Sequence, residues 1–144
     1  MSWLRRNAWW GLLAIVALNA AVGLLSLVSG VWYQAEDVTG TSIDEVIADG
    51  ASGARLAEFG TRMDGLHLLA LGVVLGAVLL VPFRRNQAWA WWAMWILPGS
   101  ILATSAVHAA FGATGPAISG TIVGGLAAAI LLVSRSRFIG RPAA

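Results

Sequence analysis

The sequence predicts an all-α integral membrane protein: a four-transmembrane-helix bundle with a short extracytoplasmic helical lid between helices 1 and 2. Three observations carry this expectation. Four apolar stretches, 9–31, 66–83, 88–108 and 118–134, can each cross about 30 Å of hydrocarbon at about 1.5 Å per residue, the last only just. Charged residues make up 11% of the chain, against about 25% in soluble domains, and the mean hydropathy is +0.78. The charges also segregate by sign. Arg5, Arg6, Arg84, Arg85, Arg135, Arg137 and Arg141 flank one end of the spans. All seven acids (Glu36, Asp37, Asp44, Glu45, Asp49, Glu58 and Asp64) fall at the other end, accompanied only by Arg55 and Arg62. The 144 residues leave room for one membrane domain, 1–144, and no separate soluble one.

Span one is interrupted only by Asn19 and by serine and glycine. Its apolar run exceeds the roughly 7–15 residues of a signal-peptide core, and Trp32 and Tyr33 stand where cleavage needs small residues. It reads as a retained anchor, with Trp9–Trp10 and Trp32–Tyr33 as interfacial belts. In the outer loop, 32–64, Thr41 or Ser42 can cap a short helix whose first turn holds Asp44 and Glu45 and which ends at Asp49-Gly50. That helix is expected to lie on the membrane surface as the lid. A second helix starts near Ser52 and runs unbroken into span two, with Glu58 and Arg62 paired at i,i+4. The turn Arg84-Arg85-Asn86-Gln87 forces spans two and three into an antiparallel hairpin, and the stretch from Phe111 to Pro116 joins three to four. Pro98-Gly99 should kink span three near mid-membrane and free a backbone carbonyl.

The arginine placement puts both termini in the cytoplasm and the 32–64 loop outside. All nine basic residues are arginine, which suits a GC-rich bacterial genome, so the expected location is a bacterial cytoplasmic membrane. The same topology accounts for a pI near 10.5 without a nucleic-acid partner. The absence of cysteine excludes disulfides, a thiolate nucleophile, a zinc–thiolate site and an iron–sulfur cluster. The run from Arg84 to Trp92 resembles a cytoplasmic turn of small bacterial four-helix membrane proteins; it carries no catalytic residue and implies no role.

Because lipid tails are as apolar as leucine, span association needs close packing of small residues. Gly72 and Gly76 in span two, Gly120, Gly124 and Gly125 in span four, and Ala17, Ala20 and Gly23 in span one supply that spacing. The expected use is packing within the chain, with homodimerisation through the same faces as the alternative. Trp89, Trp91, Trp92 and Trp95 read mainly as an interfacial belt, Trp95 being deep enough to line an interior site.

Ionisable groups within a membrane are costly and so are functional candidates. Asp64 and His67 are i,i+3 near the outer end of span two, His108 returns to the same depth on span three, and Glu36 and Asp37 follow span one. A carboxylate beside an imidazole tunes it for proton transfer, so Asp64, His67, His108 and Glu36 are the candidate catalytic residues. Asn19, Trp95 and Asp37 are the candidate ligand-binding residues. No metal site is expected and no cofactor, with haem b between His67 and His108 as the alternative. The bland counterpart is a set of interfacial histidines beside a solvated acidic loop. Asn19, near the bilayer centre, is expected either to bond Ser100, Thr104 or the carbonyl freed by Pro98, or to form the floor of a pocket.

The expected function is to hold a lipophilic small molecule in an outward-opening intramembrane pocket. Cofactor-free acid–base catalysis of the isomerase, cyclase or hydratase type is its chemical extension. The alternative is a non-catalytic accessory or assembly subunit of a larger membrane complex. Proton-coupled export fits poorly, since span one carries no acid.

Overall fold

The computed structural model describes residues 2–30, 45 and 51–139. The expected lid, and with it Glu36 and Asp37, lies outside the described residues apart from Glu45. The described chain is helical throughout: α1 (Ser2–Ser29), α2 (Ala51–Val78) with a π-helical turn at Leu79–Phe83, α3 (Ala88–Ala93), α4 (Ile96–Ala110), α5 (Thr114–Ser134) and a 3-10 turn at Arg135–Arg137. Four segments, Asn7–Ser29, Arg55–Phe83, Ala88–Ala110 and Thr114–Arg137, are long and apolar enough to cross a membrane, the composition of a multi-pass membrane protein.

The helix continuing from near Ser52 into span two is present as α2, and Arg62 pairs with Glu58 at 2.8 Å within it. Three local departures have proline at their root. Pro82 has no N–H to give the carbonyl of Val78 and crowds it, so the last turn of span two widens. Span three breaks at Met94–Trp95, one turn before Pro98, and is two helices rather than one kinked rod. The Met94 carbonyl, which Pro98 cannot reach as a donor, accepts from the Leu97 N–H at 3.1 Å instead. Pro116, read from sequence as part of a loop, sits in the first turn of α5, where an N–H has no helical partner to lose. The connecting loop therefore shrinks to Phe111–Ala113, with Gly112 at φ +81.

Two antiparallel pairs make up the bundle: α1 with α2, and α4 with α5. Glycines set the approach in both. A Cβ on Gly65 would lie 2.5 Å from the Leu27 nitrogen, one on Gly23 2.6 Å from the Leu69 nitrogen, and one on Gly72 2.7 Å from the Ala20 Cβ. In the second pair, Gly120 faces Ser105, and a Cβ on Gly124 would meet Leu102 Cγ at 2.8 Å. The small-residue faces singled out in sequence are thus largely filled within the chain, though Ala17 is exposed and Gly125 has open space beside it.

The pairs meet at the arginine-rich end. There the buried core collects Leu12, Ile15 and Val16 of α1, Leu75, Leu79 and Phe83 around the π turn, Trp91, Met94 and Leu97 of span three, and Ala127 and Leu131 of α5. Phe138 covers Phe83 at 4.6 Å between ring centres, and the Arg84 guanidinium stacks 4.7 Å over Trp9. Asn86 turns the hairpin with φ 57 and accepts from Arg137 Nη2 at 2.7 Å. Trp91 is 3% exposed while Trp89 and Trp92 are 54% and 61% exposed, so the tryptophan cluster divides between core and exposed surface.

At the opposite end Arg62 reaches across from α2 to close α1. Its Nη1 donates to the carbonyls of Leu27 and Val28 at 2.8 and 3.3 Å, and Nε to Glu58 Oε1 at 2.9 Å. Gly30, at φ +63, donates to the Ser26 carbonyl at 3.0 Å. A side chain on Gly30 would collide with that guanidinium at 2.9 Å. Carbonyls that a helix leaves unpaired at its end are in this way supplied with donors from the neighbouring helix.

Candidate functional site

Away from the arginine-rich end the two pairs do not close on each other. Between them lies a partly open cavity of about 670 Å³, within the range of small-molecule sites, to which all four spans contribute. From α1 come Ile15, Leu18, Asn19, Val22 and Ser26, and from α2 Ala57, Gly60, Thr61, Asp64 and Leu68. Both sets follow the i, i+3, i+4, i+7 spacing of one helical face. Ser100, Ile101, Thr104, Ser105 and His108 of α4 face them, with Pro116, Ser119, Gly120 and Val123 of α5.

Among the residues predicted to carry function, Asp64, His108 and Asn19 therefore line one cavity. His67 does not; it is exposed on another face of α2. Its i,i+3 relation to Asp64 turns it about 60° to one side, and the cavity stripe of α2 continues through Leu68, about 40° to the other. The two histidines thus do not face one space, and the bis-histidine haem arrangement lacks one of its ligands at the cavity. No group of three or more His, Cys, Asp or Glu side chains able to hold a metal ion occurs among the described residues.

Trp95 also lies off the cavity. It packs against the core at the α3–α4 break, edge-on to Trp91 at 5.7 Å, with a buried indole N–H that has no hydrogen-bond partner. The interhelical bond expected of Asn19 is not formed: Ser100 Oγ donates to its own helix at Leu97, 3.0 Å away, and no described group bonds the Asn19 amide.

Four cavity hydroxyls went unremarked in the sequence reading: Ser26, Thr61, Ser105 and Ser119. The available signal was periodicity. Polar residues inside apolar spans recur on one face, as at Asn19 and Ser26, or at Ser100, Thr104 and His108. Comparison with protein-family models, with curated proteins and with solved structures finds no match.

Proposed function

We propose that this protein holds a lipophilic small molecule in the cavity between its two helix pairs. It would do so in a bacterial cytoplasmic membrane, with both termini cytoplasmic and the cavity toward the outer face. The observation that carries this reading is the cavity itself: about 670 Å³, walled by apolar side chains of all four spans, with Asn19, Asp64 and His108 spaced along it. Asp64 and His108, a carboxylate and an imidazole on facing helices, are the groups that would move a proton to and from a bound substrate. An isomerisation by that route needs no cofactor, because the proton removed at one carbon is returned at another.

The test is native mass spectrometry of the chain, gently extracted from its own membrane, beside a Val22→Trp variant that fills the cavity. A defined small-molecule mass on the wild type, lost in Val22→Trp, is expected. Recovery in fixed ratio with larger subunits, with no bound molecule, would overturn the proposal in favour of an accessory subunit. Should a ligand be found, conversion by the wild type but not by His108→Ala separates catalysis from storage.

A further inference from the structure

We infer that the deep end of the cavity, at Asn19, recognises a hydrogen-bond donor, so that the ligand is a lipophile that leads with a neutral hydroxyl or amide group. This rests on the reading of the cavity as a ligand site and specifies the chemistry of what enters it.

Four cavity hydroxyls have already committed their protons. Ser100 Oγ donates to the Leu97 carbonyl at 3.0 Å, Ser105 Oγ to Ile101 at 2.8 Å, Thr61 Oγ1 to Ala57 at 3.0 Å and Ser119 Oγ to Pro116 at 3.2 Å. Each of these four hydroxyls has spent its single proton on its own helix, leaving lone pairs for a guest, while Ser26 and Thr104 bond no described residue. These four positions are therefore acceptors. Asn19 differs from them: its side chain makes no such bond to its own helix, and no described residue bonds its amide. An amide carbonyl and two N–H groups near the middle of span one, between apolar Ile15, Leu18 and Val22, call for a partner that both donates and accepts. A hydrocarbon chain or an ester leaves the Asn19 carbonyl and the serine lone pairs unpaired; an O–H or N–H group satisfies them.

A charged head does not suit this end, since among the described residues no ionisable side chain lines the cavity below Asp64 and His108. From Ser100 to His108 along α4 is about 12 Å at 1.5 Å per residue, which sets the separation between the neutral deep pole and the ionisable mouth.

The experiment titrates the full chain in a non-ionic detergent with decan-1-ol or with decyl methyl ether, in which a methyl group replaces the donated proton, and reads occupancy by native mass spectrometry. The alcohol is expected to bind about tenfold more tightly, the worth of one hydrogen bond. Asn19→Ala is expected to lower its affinity about tenfold. Equal affinities in the wild type, or an alcohol indifferent to Asn19→Ala, overturn the inference while leaving the cavity a ligand site. Asn19→Leu, closer in volume, repeats the comparison without opening a void. If neither probe binds, or both still bind Val22→Trp, the ligand-site reading fails and this inference with it.

Discussion

The indole nitrogen of Trp91 donates to the carbonyl oxygen of Leu131 across 2.9 Å, joining span three to span four inside the buried core. Ser134 Oγ donates to the same oxygen at 2.8 Å, so one carbonyl anchors two groups. Trp91→Phe removes the donor and leaves a smaller ring. It is expected to destabilise the bundle by about 2–4 kcal/mol, the lost interhelical hydrogen bond together with lost core packing. Trp92→Phe, at an exposed position, should leave stability unchanged. Unfolding midpoints in a denaturing detergent would compare the two.

Gly65 lies where α1 and α2 come closest. A methyl there would lie 2.5 Å from the Leu27 nitrogen and 2.7 Å from the Gly23 oxygen, backbone atoms that cannot swing aside. Gly65→Ala should therefore push the pair apart and cost about 1–3 kcal/mol. Gly125→Ala, with nothing within 4 Å, is the matched control and should be neutral. Thermal unfolding of the two variants in the same detergent decides.

Arg62 supplies the last carbonyls of α1 with donors. Arg62→Gln shortens the side chain and removes its charge, and amide exchange at residues 26–30 should accelerate at least tenfold. Glu58→Gln is expected to change stability by less than about 0.5 kcal/mol, because its ion pair with Arg62 is solvent-exposed. Hydrogen exchange read by mass spectrometry separates the capping bonds from the ion pair.

The native chain has no cysteine, so single cysteines report topology without a background. Phe111→Cys is expected to react with a membrane-impermeant maleimide in intact cells, and Gln87→Cys only after lysis. The reverse pattern would invert the orientation and point the cavity inward.

The parts of this architecture that were legible in the sequence rest on signals summed over many residues. Span number follows from long apolar runs, and the unbroken approach of α2 from the absence of any breaker between Ser52 and Leu66 other than Gly53, Gly60 and Gly65. Depth was equally accessible, because residues counted along a helix convert directly to ångströms; Asp64 and His108 do line one cavity. Rotation was harder. His67 misses the cavity by an angle smaller than the width of a helical stripe, and such an angle depends on how the neighbouring helices seat against Gly23, Gly65 and Gly72. Proline effects were visible in kind but misplaced: Pro98 acts one turn upstream because the carbonyl it crowds belongs to Met94, and Pro82 widens a turn that the apolar run of span two conceals. Tryptophan spacing gave no means of separating Trp91, which is core, from Trp92, which is not.

Among the described residues the buried core binds the two helix pairs together at the arginine-rich end, and within each pair the glycine contacts leave little play. Relative movement of the pairs is therefore expected to pivot about the cluster of Phe83, Trp91 and Leu131, with lever arms of about half the roughly 30 Å hydrocarbon thickness. A rotation of a few degrees at that fulcrum shifts the far ends by about an ångström. The aperture of the hollow half is then expected to respond to the lateral pressure of the surrounding lipids.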